Sequence, residues 1–486
     1  MNRKKNIIYA MSLGVGAACI TTSCTASANG QKSPNLVFIL VDDMGYGELS
    51  CYNPSTVVAT PNIDRLADSG VMMTQAYASP LSSPTRTSFL TGAFPQRSGV
   101  YENSDGVMPG IGPSRHCFVN ELRDAGYTTA WLGKWHQGWD VSNHPLNNGF
   151  DKAYGFLGGM HDYFDPAEGD HYAGGPFARH SYIFDGIKPV KEMKYLTEEL
   201  TDRAVDFIGS DHGGSPFFLY LPYNCPHTPY QAPDEVIVKY LKKGMEPVQA
   251  TRCAMMDALD TQVGRVLDAL EKSGLDKNTL VVFMSDNGAE QNRYNGGLRG
   301  VKNSVWEGGI RVPMIARWPE RIPAGHKSSS VCSIIDLAST FIGAAKGMDD
   351  FSYGDGVNLL PYYDGSRTDD VHTELVFSIN LIGQPYLEPA PEHFGLFAVR
   401  SGDWKLVLDK KREIDALYNL KDDVAEEHDL SDEFRQKKEE LLEYGRKLLE
   451  DCPPCCSKIH NRNTRIDGDR IKIDSLINHC NNLNIN

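Results

Sequence analysis

Four apolar runs set the pattern of this chain. Asn35–Val41 (NLVFILV), 127–132, 217–221 and 280–284 show little polar alternation, as expected of strands buried on both faces of a sheet. Segments of helical period lie between them. Thr60 is placed to cap a helix that Pro61 opens, with Ile63, Leu66 and Ala67 as its apolar face and Gly70 as its stop. Residues 71–78 lead back into the sheet. A helix ending at Ala125-Gly126 precedes the 127–132 run. Residues 196–208 read as a helix, and 251–271 repeat Met255, Leu259, Val263, Val266 and Leu270 every three to four positions. Strands alternating with helices predict an α/β fold.

The pattern changes after residue 370. Residues 397–400, 404–407 and 416–420 read as short alternating strands, and 434–450 as a charged helix. Residues 158–175, rich in Gly, His, Asp and Tyr, have the composition of a long surface loop. The Asn-rich stretch 457–486 reads as a weakly ordered tail. No internal repeat is evident.

The apolar runs end in candidate chemistry. The first stops at Asp42-Asp43, the second delivers Lys134 and His136, the third leads to His227, and the fourth ends in Asp286-Asn287. Ligand sites of open α/β sheets lie beyond the carboxyl ends of the strands, so these segments are expected to meet in one crevice. Taken singly, each has a plainer reading: a solvated turn for the acid pair, a structural role for a lone histidine. Between the first two runs lies Ser82-Ser83-Pro84-Thr85-Arg86-Thr87-Ser88-Phe89-Leu90-Thr91-Gly92. Pro84 suits a first helical turn and Gly92 a helix stop. A helical turn would bring Arg86 back over Ser82.

Composition narrows the function classes. The chain has 486 residues, 41% hydrophobic and 23% charged, enough for one large domain and a smaller one. A formal net charge of -15 disfavours nucleic acid or an acidic membrane surface as partner. The N-terminus reads as an export signal: Arg3, Lys4 and Lys5, then an apolar stretch over 7–20, then Ala26-Ser27-Ala28 as cleavage site. Export predicts a periplasmic protein, with Cys24 as the alternative point of lipid anchoring. Of the nine cysteines beyond Cys24, five are scattered singly, and only Cys452, Cys455 and Cys456 cluster. A local disulfide or free thiols are expected there rather than a zinc site.

The Ser82–Gly92 stretch resembles the signature of the type I sulfatases, a (Cys or Ser)-x-Pro-x-Arg core followed by Leu-Thr-Gly. Gly133-Lys134-Trp135-His136, Gly149-Phe150-Asp151 and the segment from Lys302 through Glu307-Gly308-Gly309-Ile310-Arg311-Val312-Pro313 are similar to further landmarks of that family. Thr85 stands where the family more often has Ser. The resemblance implies an alkaline-phosphatase-like α/β fold: a large mixed, mostly parallel sheet flanked by helices, with a smaller C-terminal α+β subdomain. The expected organisation is a signal peptide over 1–28, a catalytic domain over 29–370, an antiparallel-sheet subdomain over 371–456 and the tail over 457–486.

It also implies a mechanism. Ser82 would be oxidised after synthesis to formylglycine (3-oxoalanine). A plain serine would stop at a stable alkyl sulfate. A hydrated aldehyde has two hydroxyls: one attacks sulfur, and the other, once deprotonated, expels sulfate. Asp42, Asp43, Asp286 and Asn287 would bind one divalent cation, with residue 82 as a further ligand. These hard oxygen donors suit Ca²⁺, whereas zinc would want His or Cys. Lys134 and Lys302 would hold the sulfate oxygens. His136 would take the proton, and His227 would contact the sulfate and protonate the leaving oxygen. Arg86 would steady the modified residue. A serine at position 82 implies maturation by a radical enzyme of the kind found in anaerobic bacteria.

The expected reaction is exo-acting hydrolysis of a sulfated saccharide, with His161, Asp162, Asp170 and His171 as candidate sugar contacts. The alternatives are a broad arylsulfatase, a phosphatase or phosphonate hydrolase of the same superfamily, and an inactive glycan-binding homologue. Two-metal phosphatases need a set of His ligands that does not accompany these acid pairs. The intact set from Ser82 to Lys302 argues against lost activity.

Overall fold

The computed structural model of the chain describes residues 32–103, 110–111, 116–138, 141–167, 182–379, 391, 395–450 and 452–453. The export segment up to residue 31, Asp170 and His171, Cys455 and Cys456, and the 457–486 tail lie outside the described residues.

The main sheet contains β1 (Asn35–Val41), β2 (Val71–Tyr77), β3 (Thr128–Lys134), β4 (Lys152–Phe156), β5 (Phe184–Asp185), β6 (Lys188–Pro189), β7 (Phe217–Pro222), β8 (Thr279–Ser285), β9 (Arg311–Arg317), β10 (His326–Ser328) and β11 (Cys332–Ser333). Their order is β10-β2-β9-β8-β1-β7-β3-β4-β5-β6, with β11 beside β2. β1 is parallel to both β7 and β8, and β3 is parallel to β7 and β4. β9 runs antiparallel between β8 and β2. The sheet is mixed and mostly parallel, flanked by helices, as expected.

Both faces of β1 are covered. Leu36, Phe38 and Leu40 enter one core with Phe89, Phe118 and Phe341. Val37, Ile39 and Val41 enter the other with Met255, Leu259 and Val263. A strand dry on both sides has no polar positions to alternate, which accounts for the unbroken run NLVFILV.

The helix expected at 251–271 spans Pro247–Lys272. Pro247 sits in its first turn, and Val248 beside it is 61% exposed, so that turn carries no apolar period to read. The helix Pro61–Asp68 begins where expected, but Thr60 does not cap it with its side chain. The Thr60 hydroxyl instead accepts from the Ser50 N–H at 3.0 Å and bonds the Asp64 carboxylate at 3.3 Å. Elements not anticipated from the sequence include β9 and the helix Asp336–Lys346, whose polar stripe of Asp336, Ser339 and Thr340 is buried like the rest of it.

A two-stranded pair, β12 (Ser352–Tyr353) and β13 (Gly356–Val357), packs on the helix Asp336–Lys346 of the main part, and the smaller part holds an antiparallel sheet of β14 (Glu374–Ile379), β15 (Leu396–Ser401), β16 (Trp404–Asp409) and β17 (Ile414–Asn419). The helix Arg435–Glu450 packs on it through Leu441, Leu448 and Leu449, in a core shared with Tyr77, Phe94 and Trp306. A buried ion cluster fastens this sheet to the larger part. Lys405 Nζ lies 2.9 Å from Glu307 and 2.8 Å from Glu426, and the Glu307 N–H donates to Glu426 at 2.8 Å. Burial, with Glu307 alongside, lifts the Glu426 carboxyl to about 7 in spite of Lys405.

Candidate active site

The order β8-β1-β7-β3 is contiguous, so four strand ends open side by side. Val41 pairs with Ser285, which sets Asp42 and Asp286 level at that edge. Lys134 closes β3. It can do so because Gly133, at φ 141°, presses against β7, where a Cβ would fall 2.0 Å from the Pro222 carbonyl oxygen. Ser82 opens the helix Ser82–Thr91, whose every residue is buried and which ends in left-handed Gly92 at φ 63°. The Thr85 hydroxyl donates to the Asp286 carbonyl at 2.7 Å and to the Ser79 carbonyl at 3.2 Å. The hydroxyl that a serine would supply is therefore present, and it ties the Ser82–Thr91 helix to the end of β8.

The Ser82 Oγ accepts from Arg86 Nε at 3.0 Å and lies 3.1 Å from His136 Nδ1. Arg86 also donates to the Lys134 carbonyl at 3.2 Å and to Asp286 Oδ2 at 3.1 Å. Lys134 Nζ donates to Asp42 Oδ2 at 2.5 Å, and Lys302 Nζ to Asp43 Oδ2 at 2.8 Å. Asn287 Nδ2 donates to Asp43 Oδ1 at 2.7 Å, and the Asp43 N–H to Asp286 Oδ1 at 3.2 Å. His227 Nε2 stands 3.7 Å from Asp43 Oδ2, while its Nδ1 donates to the Thr228 carbonyl at 2.6 Å. Asp42, Arg86, Lys134, Asp286 and Asn287 are fully buried, whereas His227 and Lys302 each retain 8% exposure and so face the mouth.

Three carboxylates and three cations share this dry pocket. Burial lifts the Asp42 carboxyl well above its usual range, and Asp286 adds to the rise. Asp43 is also buried, but Lys302 and His227 outweigh that and hold it low. Asp286 is held low by Arg86 and Lys134 against its own burial. Burial lowers Lys134, whereas Asp43 overcomes burial at Lys302 and raises it. Burial and the nearby Lys302 bring His227 down to about 3, so it enters the site as a neutral imidazole.

The acid end of the pocket fits a metal. Asp42 Oδ1 and Asn287 Oδ1 are buried without a hydrogen-bond partner, and an orphaned buried acceptor is costly unless something satisfies it. Asp42, Asp43 and His227 can bring one ligand atom each to within 4.8 Å of one another. Carboxylate and amide oxygens dominate the donors, the preference of a hard divalent cation.

Of the candidate sugar contacts, His161 and Asp162 lie among the described residues. His161 is buried, with Nδ1 on the Asp162 carbonyl at 2.7 Å and its ring tilted on Phe156. Asp162 spends its carboxylate on the N–H groups of Phe164 and Asp165 and on Gln231 Nε2. That loop holds Tyr163, whose hydroxyl lies 2.8 Å from the Asn224 carbonyl and 2.9 Å from that of His227. Sequence reasoning missed Tyr163 and also Gln137, whose partners Ser83 and Thr87 are distant in the chain. Such contacts leave no local signal.

A strand-end pocket that sets a hydroxyl position between an arginine and an imidazole, over acids and two lysines, defines an ester hydrolase for anionic substrates on an alkaline-phosphatase-like fold. The Sulfatase family model matches residues 34–348. A second model, N-sulphoglucosamine sulphohydrolase C-terminal, matches residues 301–450. The chain belongs to the sulfatase family, the sulfuric ester hydrolases. It is 35% identical over 360 residues to N-acetylgalactosamine-6-sulfatase of Mus musculus, covering 69% of this chain and 67% of the relative. It is 29% identical over 443 residues to human steryl-sulfatase, covering 73% and 74%. The crystal structure of Ps i-CgsB in complex with k-i-k-neocarrahexaose superposes with a TM-score of 0.77 at 31% identity, covering 90% of this chain and 98% of that one.

Proposed function

We propose that this chain is an exo-acting carbohydrate O-sulfatase working through a formylglycine made from Ser82 and one bound Ca²⁺. The observation that carries the proposal is the pairing of Ser82 Oγ with Arg86 Nε at 3.0 Å and His136 Nδ1 at 3.1 Å, beside the orphaned oxygens of Asp42 and Asn287. Asp42, Asp43, Asp286 and Asn287 would hold the metal. Bound there, the metal and the aldehyde hydrate supply electrophilic assistance and a nucleophile that can be regenerated. Lys134 and Lys302 offset charge on the sulfate oxygens. Arg86 orients the group at position 82, and His136 receives its proton through Nδ1. His227, at the mouth, contacts the sulfate on the leaving-oxygen side.

A saccharide substrate is supported by the similarity to N-acetylgalactosamine-6-sulfatase and to Ps i-CgsB in complex with a neocarrahexaose. The net charge of -15 disfavours a long basic track for a polyanion, hence exo action. His161 and Asp162 would shape the sugar-binding rim, Asp162 by fixing the loop under Tyr163, and Asp170 and His171 are kept as candidate sugar contacts from the sequence. Maturation falls to a radical enzyme because position 82 is Ser, and the basic-then-apolar N-terminus supports export to the periplasm. No helix among the described residues is long and apolar enough to cross a membrane. The test is a panel of defined sulfated saccharides given to enzyme co-produced with a Ser-type maturase. Release of terminal sulfate from a saccharide supports the proposal. Turnover of small aryl sulfates alone overturns the carbohydrate assignment.

A further inference from the structure

His136 sits at φ 54°, left-handed backbone that a residue with a side chain keeps only when its surroundings over-determine it. Those surroundings are specific. The His136 N–H donates to the Leu157 carbonyl at 3.1 Å. Its carbonyl accepts twice, from Ser83 Oγ at 2.8 Å and from Gln137 Nε2 at 2.9 Å.

Gln137 is fully buried, and its amide group is occupied at both ends. Nε2 also donates to the Ser83 carbonyl at 3.0 Å, and Oε1 accepts from Thr87 Oγ1 at 2.7 Å. Its backbone is pinned as well: a Cβ at Gly110 would fall 2.3 Å from the Gln137 carbonyl oxygen. Ser83 and Thr87 belong to the helix that carries Ser82 and Arg86. His136 follows β3, which ends at Lys134. One amide thus bridges the two elements that bear the reacting pair. A hydrophobic side chain of similar size would fill the space but leave the His136 and Ser83 carbonyls each short of one donor and Thr87 without its acceptor.

We propose that Gln137, anchored by Thr87, is a positioning residue that sets the distance and angle between His136 Nδ1 and the oxygen at position 82. The inference rests on the sulfatase reading above. The step it serves moves one proton: the O–H bond at position 82 breaks as the N–H bond forms at Nδ1, and no other reactant is needed. The receiving nitrogen must carry its lone pair, so the imidazole proton is on Nε2 beforehand. A misplacement of about 1 Å in such a pair costs on the order of 100-fold in rate. Ground-state binding of the sulfate by Lys134 and Lys302 does not pass through this amide.

The experiment uses the full chain co-produced with a Ser-type maturase, with rates normalised to the aldehyde content of each preparation. The variants are Gln137→Leu, Thr87→Val and Thr87→Ser, and the substrate is a small aryl sulfate. Gln137→Leu is expected to lower kcat about 100-fold with KM within about 3-fold of wild type. Thr87→Val is expected to lower kcat about 10-fold, and Thr87→Ser, which keeps the hydroxyl, to restore it. The Gln137→Leu/Thr87→Val double variant should be no worse than Gln137→Leu alone, because both act on one bridge.

Wild-type kcat in Gln137→Leu, or a loss confined to KM, overturns the inference while leaving the sulfatase reading intact. So does Thr87→Ser that is as slow as Thr87→Val, and this pair decides the matter if Gln137→Leu does not fold. A wild-type enzyme with full aldehyde content and no turnover of any sulfate ester defeats the sulfatase reading, and this inference with it.

Discussion

Calcium should stabilise the fold by an amount that one neutral ligand controls. The perturbation is Asn287→Ala. Asn287 Oδ1 is buried without a partner, while its Nδ2 donates to Asp43 Oδ1 at 2.7 Å and to the Gly288 carbonyl at 2.9 Å. A ligand that binds only the folded state at 100 times its Kd adds about 2.7 kcal/mol. The unfolding entropy of roughly 380 described residues, at about 2.1 cal/mol/K each, is on the order of 0.8 kcal/mol/K. Calcium at that level therefore raises Tm by about 3 °C in the wild type. Loss of the two Nδ2 bonds costs about 1–3 kcal/mol, which lowers the metal-free Tm by about 1–4 °C. If loss of the ligand weakens binding about 100-fold, the same calcium contributes only about 0.4 kcal/mol, or about 0.5 °C. The assay is a thermal scan of chelator-treated protein against a calcium titration, with zinc as control. A wild-type Tm indifferent to calcium, or an equal shift in Asn287→Ala, would refute the assignment of these oxygens to the metal.

Two further outcomes are expected. Lys405→Met leaves the buried Glu307 and Glu426 facing each other without their shared cation, at a cost of about 3–5 kcal/mol; calorimetry should show Tm about 4–6 °C lower, and an unchanged Tm would contradict the ion cluster's role in fastening the C-terminal sheet. His372 Nε2 lies 2.7 Å from Asp336 Oδ1; although burial opposes it, this carboxylate raises the histidine above its ordinary value. Its contribution is thus full below about 6.5 and is lost as pH rises through the higher folded value. The Tm deficit of His372→Gln relative to wild type should be larger at pH 5.5 than at pH 9, and a deficit independent of pH would argue against the pair.

The strands that matter most for function were also the most legible. β1, β7 and β8 are buried on both faces, so each appears as an unbroken apolar run that stops abruptly where the site begins. The helix after Ser82 was legible from Pro84 and Gly92, which fix its first turn and its end. What stayed hidden depends on contacts across the chain. β9 enters antiparallel between β8 and β2, and no local pattern records a partner's direction. The Asp336–Lys346 helix has a polar stripe, but it faces inward: Asp336 accepts from the Ser333 and Val357 N–H groups, and Ser339 donates to the Gly356 carbonyl. Asp162 was recognised as part of the loop near the site, but its carboxylate is filled by the Phe164 and Asp165 N–H groups and by Gln231. Composition alone could not distinguish a sugar contact from a loop staple. Gln137 reads as an ordinary polar residue until Thr87 and Ser83 are folded against it.

The account turns on the chemical state of residue 82. The most direct measurement is mass spectrometry of the peptide spanning that residue, paired with the initial rate of sulfate release by the same preparation. Protein made without a Ser-type maturase should carry serine, fold, bind calcium and be nearly inactive. Co-production with the maturase should lower the peptide mass by two hydrogens, with activity rising in proportion to the converted fraction. Ser82→Cys made in a host that converts Cys-type sites should regain activity in the same proportion. Full activity from a preparation in which position 82 is still unmodified serine would contradict the account.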